Sequence, residues 1–153
     1  MGWARPLDAH VNAHACSAIR RVRWPTARAY SGDPAALALA LDTIDTGAHY
    51  AYSLEERLFV LMPLVHAESV AMLSRAVVLA DEMANDAPPE LRDPWAFGAQ
   101  RVRKYHALIA DFGRYPGRNA ALGRRSSAAE LAHLAEEAVP RSSEHQHVLR
   151  TPH

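Results

Sequence analysis

The chain has 153 residues, nearly half of them apolar, and as many acidic as basic side chains. That length gives one ordinary domain around a single core, and the apolar share excludes a chain too polar to fold. The zero net charge argues against general nucleic-acid binding, and the single cysteine, Cys16, excludes an internal disulfide framework and fits a reducing compartment.

The charge is unevenly spread. Residues 1–30 hold five Arg against one Asp, residues 31–100 three Arg against eleven acids, and residues 101–153 nine Lys and Arg against five acids. The basic ends are expected to pack across the acidic middle. The first ten residues contain Arg5, Pro6, Asp8 and His10 and lack the apolar stretch of a secretory leader. The most apolar run, Leu58 to Val65, is too short to span a bilayer and contains Pro63. A soluble cytoplasmic protein with no membrane partner is the expectation.

Residues 1–24 are the least readable part and are expected to be poorly ordered or degenerate. Val11 to Ile19 has only a weak helical pattern. His10 and His14 share a helix face at i, i+4, but Cys16 falls roughly 200° round from His14. With no carboxylate or second cysteine nearby, no metal site and no cofactor are expected.

Residues 25–138 read as the helical domain. Asp33 is placed as a cap with Pro34 in the first helical position, and the helix runs through Leu37, Leu41 and Ile44 to stop at Gly47. Ser53-Leu54-Glu55-Glu56 is a capping box opening a second helix, which Pro63 ends or kinks. A long central helix is expected over about Leu64 to Met83, with two apolar stripes and a polar stripe of Glu68, Arg75 and Glu82 facing water. After a Pro88-Pro89 linker, a helix over about Pro94 to Phe112 buries Trp95, Ala99, Val102, His106, Ile109 and Phe112. Ser127-Ala128-Ala129-Glu130 is a second capping box and opens a short last helix. Residues 139–153, with Pro140, Ser142, Ser143 and three His, are expected to form a disordered tail. No strand pattern occurs, and no period near 34 residues marks strict repeats. The fold class is all-α, an antiparallel array of five or six helices.

Between the last two helices lies the most specific stretch, Phe112 to Arg125, with three glycines, a proline, an asparagine and four arginines. Phe112-Gly113-Arg114-Tyr115-Pro116, then Arg118-Asn119 and Leu122-Gly123-Arg124, resembles the closing motif of bacterial family 924 in the domain-of-unknown-function series. Ser53 to Arg57 with Leu58, Phe59, Pro63, His66 and Glu68 is similar to that family's second motif. Thr26 to Tyr30 with Asp33-Pro34-Ala36-Leu37-Ala38 is similar to its first. The resemblance runs from about Thr26 to Glu137. It implies a TPR-like helical fold and carries no reaction with it. Gly117 stands where the family commonly has His. Ile19 to Pro25 stands where the family has an Asp-Gln-Phe-Pro-Arg-Asn-like stretch, so the resemblance implies a member lacking the usual N-terminal part.

Two readings of the loop stay open. Arg114, Arg118 and Arg124, with Asn119, could hold phosphate or carboxylate beside the helix N-terminus at Ser126 and Ser127. Alternatively Arg114 and Arg118 clamp the loop, binding helix C-terminal carbonyls or acids such as Glu68 or Asp111. The glycine spacing lacks the Lys-Ser/Thr of a phosphate-binding P-loop. His66 and His106 each sit on an apolar stripe of a long helix and could meet as an acid–base pair, or be two satisfied boundary histidines. The function expected is a non-catalytic helical module binding a protein partner or small anionic ligand. The alternatives are a small enzyme acting on an anionic substrate, with His66 or His106 moving a proton, and a truncated remnant without function. Homodimerisation would follow if apolar surface is left uncovered.

Overall fold

A computed structural model describes residues 27–138. The expectations for residues 1–24, for the His10, His14 and Cys16 cluster, and for the tail from 139 lie outside the described residues. The described residues form five α-helices: α1 (Asp33–Asp45), α2 (Leu54–His66), α3 (Val70–Asp86), α4 (Arg92–Phe112) and α5 (Ala128–Ala138). Among the described residues there is no strand, and no helix is long and apolar enough to cross a membrane.

Short connections join the first four helices, and their packing follows chain order, whereas α5 follows the longer stretch 113–127 and lies against its 3₁₀ turn. α4 lies on α3 most extensively, α2 lies on α3, and α1 lies on α2. The capping box at Ser53 forms as its sequence predicts. Its Oγ accepts from the Glu56 amide at 3.3 Å, and the Ser53 amide donates to Glu56 Oε2 at 2.8 Å. The start of α1 differs by one position: Gly32 is the cap, and Asp33 opens the first turn beside Pro34.

The expected long helix from Leu64 is not one helix. Pro63 sits inside α2, which continues to His66. A proline so near a helix end forgoes one bond, to the carbonyl of Phe59, a residue 43% exposed. The break falls instead where Ala67 turns extended and Ser69 caps α3, its Oγ accepting from the Met72 amide at 3.5 Å. The consequence is functional. Glu68 leaves the expected water-facing stripe and becomes a loop residue aimed at the Gly/Arg stretch.

The main core joins α1 to α4, and Leu64, Ala76 and Met83 within it are fully buried. A second, smaller cluster of Leu73, Ile109 and Tyr115 lies where α3, α4 and the Gly/Arg loop meet. Arg57, 9% exposed, ties α2 to the end of α3 by donating to Asp86 at 2.6 Å and to the Tyr50 carbonyl at 3.3 Å. Arg75 pairs with Asp45 across α3 and α1, and Arg103 with Asp81 across α4 and α3.

Candidate functional site

α4 stops at Gly113, whose φ of 68° places it in the left-handed region that closes helices. Its amide donates to the Ile109 carbonyl at 2.8 Å. The chain then makes one short 3₁₀ turn at Pro116–Arg118 and reverses again at Gly123, φ 64°. Around these two glycines the arginines have separate tasks.

Arg124 forks onto Glu68, at 2.6 Å from Nη1 to Oε2 and 2.9 Å from Nη2 to Oε1. Glu68 also accepts from the Tyr115 amide at 2.9 Å. Burial raises the Glu68 pKa, but the Arg124 bond, the Tyr115 amide and the charges of Arg124 and Arg118 outweigh it and hold the carboxyl below its ordinary value. Arg114 forks onto Glu130, at 2.7 Å from Nε and 2.9 Å from Nη2, and Nη2 also donates to the Arg125 carbonyl at 3.0 Å. Glu130, 2% exposed, is at the same time the closing residue of the second capping box, accepting from the Ser127 amide at 2.7 Å. The helix N-terminus expected to attract an anion is therefore filled by a carboxylate of its own helix. Asn119 is 1% exposed and donates to Ser126 Oγ at 3.1 Å, a contact inside the loop.

The Arg114 bonds, then the Ser127 amide, bring the Glu130 carboxyl down from its ordinary 4.5 to about 2. A depressed folded-state pKa contributes stability that is present above about 4.5 and is lost as pH falls toward about 2. Acid unfolding of the wild type is expected to steepen across that window, and Glu130→Gln is expected to flatten it. A urea midpoint measured from pH 6 to pH 2.5 checks this; parallel curves for the two proteins would refute it.

Arg118 lines an opening. Its Nη1 donates to the His66 carbonyl, the last of α2, at 2.9 Å. Its guanidinium stacks 4.5 Å from the Tyr115 ring centre and 5.0 Å from that of Tyr30. Burial pushes the Tyr115 phenol up to about 12 against the pull of Arg118, so it stays protonated and donates to the Val65 carbonyl. Beside Arg118 lies a cleft of about 310 Å³, where His66, Tyr105, Tyr115, His133 and Glu137 meet Met62, Val65, Leu108 and Leu134.

The expected sites therefore separate. His66 and Arg118 share the cleft, whereas Arg114, Asn119 and Arg124 build the loop that roofs it. His106 is not part of it: its Nε2 lies 3.0 Å from Ser74 Oγ, on α3. The anticipated His66–His106 pair does not form a common site, because α4 turns Tyr105, one position earlier, toward the cleft. His133 and Glu137, 3.7 Å apart at i, i+4, were missed. The capping box fixes the phase of α5, and that phase was the signal that places Glu130, His133 and Glu137 on one face. No group of three or more His, Cys, Asp or Glu suited to a metal occurs among the described residues.

A family model described as a bacterial protein of unknown function, DUF924, matches residues 19–138. The chain belongs to the DUF924 family. The match begins seven residues before the Thr26 at which the motif resemblance starts. Among solved structures, this DUF924 member is similar to a protein of unknown function, ATU0120, from Agrobacterium tumefaciens, 29% identical with a TM-score of 0.61. The similarity covers 72% of this chain and 57% of the neighbour, so this chain spans little more than half of that protein's length. No curated protein matches this DUF924 member.

Proposed function

We propose that this DUF924 protein is a non-catalytic binding module that takes an anionic group in the cleft beneath the Gly/Arg loop. One observation carries the reading: Arg118, His66 and His133 line one cleft. A guanidinium oriented by a carbonyl and two rings is positioned to meet carboxylate or phosphate without further ordering. With this reading go the TPR-like stacking and the cytoplasmic location expected from the sequence. Titration with inorganic phosphate, followed by amide ¹⁵N–¹H shifts, tests it. Movement confined to His66, Gly117, Arg118 and His133 is expected. Equal movement at the exposed Arg101, Arg103 and Lys104 would mean only general attraction of anions and would overturn it.

The enzyme reading retains one supporting observation, that His66 and His133 share the cleft with Arg118. In that case His66→Ala would keep phosphate binding and lose hydrolysis of an aryl phosphate or carboxylate ester. Absence of hydrolysis by the wild type removes this reading and leaves the module.

A further inference from the structure

Two apolar side chains of α2, Leu58 and Met62, are 38% and 39% exposed and form one wall of an apolar groove of about 240 Å³. Trp95, Gly98 and Val102 of α4 form the other wall. An apolar wall left this open is suited to be covered by another apolar group. What covers it follows from where the described chain begins.

The first described turn, Ala27–Tyr30, puts the Tyr30 ring 5.0 Å from the Arg118 guanidinium. Arg118 lines the cleft, and although cleft and groove are separate openings, Met62, Val65 and Tyr105 line both. The chain that precedes Ala27 therefore joins the described fold near the wall between them. The family match begins at Ile19, so residues 19–26 belong to the matched domain. Extended, eight residues reach about 26 Å, whereas α2 rises only about 10 Å from Leu58 to Val65.

The composition of these residues fits the wall. Pro25 biases Trp24 toward an extended backbone. In an extended chain Val22 and Trp24 point to one side, and Arg21 and Arg23 to the other. At the far rim of the groove stands exposed Glu55, seven residues before Met62 and hence on the same face of α2, with a charge opposite to those arginines.

We propose that residues 19–26 occupy the α2–α4 groove, with Trp24 and Val22 against Leu58, Met62 and Gly98. A tethered segment acts at a local concentration of about 1 mM, so it outcompetes a second copy of the chain at micromolar concentration. The proposal is independent of the anion reading of the cleft.

Trypsin digestion of the full chain, with cleavage after Arg21 and Arg23 followed by mass spectrometry, tests it. The wild type is expected to be cut slowly there. Trp24→Ala is expected to speed the cut about tenfold or more, the equivalent of losing one large buried side chain. Gly98→Gln should do the same by blocking the groove. A Cβ at Gly98 meets nothing within 4 Å and glutamine favours a helix, so the thermal midpoint should not fall. The double variant should be cut no faster than the faster single one. Phe59→Gln, on α2 but outside the groove lining, should leave the rate unchanged. Fast cleavage of the wild type, or an effect of only one of Trp24→Ala and Gly98→Gln, would overturn the proposal. Protection that grows with protein concentration would give the groove to a second copy and also overturn it.

Discussion

Replacing Glu68 with alanine is expected to cost about 2 kcal/mol and to release the Gly/Arg loop before the helices melt. One carboxylate receives three donors there, two from Arg124 and one from the Tyr115 amide. Its removal leaves a guanidinium and an amide without their acceptor in a partly shielded place. Each such loss costs about 1–3 kcal/mol when fully buried, and a side chain 24% exposed lets water recover part of it. Glu68→Gln keeps an acceptor for the Tyr115 amide and loses the charge, so about half that cost is expected. The pH dependence has a definite sign. The folded-state pKa of Glu68 is lowered, so its contribution is complete above the ordinary value of 4.5 and fades as pH falls below it. Wild-type and Glu68→Gln stabilities should therefore converge in acid. Urea midpoints and hydrogen exchange at the Tyr115 and Asn119 amides measure both effects. Unchanged exchange at those amides in Glu68→Ala would show that Glu68 does not hold the loop.

What could be read from the sequence was whatever is written locally. Ser53 with Glu56, and Ser127 with Glu130, announce two helix starts because each box is complete within four residues. The buried line Ala99, Val102, Ile109 follows from its period alone. The break between α2 and α3 was not legible, because proline is the stronger stop signal by composition and yet Pro63 was tolerated near a helix end. Ala67 to Ser69 breaks the helix without Gly or Pro, so no strong stop signal announces the capping role of Ser69. That single misplacement put Glu68 on a water-facing stripe, although Glu68 was also one of the acids offered as a partner for the loop arginines. Arg124 with Glu68 is separated by 56 positions, and no local rule reaches so far. The chemistry of Arg114, Arg118 and Arg124 was visible as charge, but their division of labour depends on which carboxylates the fold delivers to them. His133 entered the cleft through the phase of α5, a signal present in the sequence and left unused.

Leu73→Ala is expected to have the largest effect, about 3–4 kcal/mol, because Leu73 is fully buried and the surrounding helices can close a cavity only partly. It is the α3 member of the cluster with Ile109 and Tyr115, so its loss should loosen both the α3–α4 packing and the seat of Tyr115. Val78→Ala, five residues along the same helix and 58% exposed, should shift stability by less than about 0.5 kcal/mol. A fall in the urea midpoint at unchanged slope for Leu73→Ala, set against no shift for Val78→Ala, checks the contrast. Combining Leu73→Ala with Glu68→Ala then asks a sharper question. Tyr115 contacts both, through its ring in the cluster and its amide on Glu68. If Tyr115 is the joint between core and loop, the second substitution has less left to break, and the double variant should be more stable than the sum of single losses predicts by about 0.5 kcal/mol or more. Strict additivity would mean that the loop and the core hold independently. The cleft could then open without disturbing the helices, and Arg118 would be carried by a separately moving lid rather than by the core.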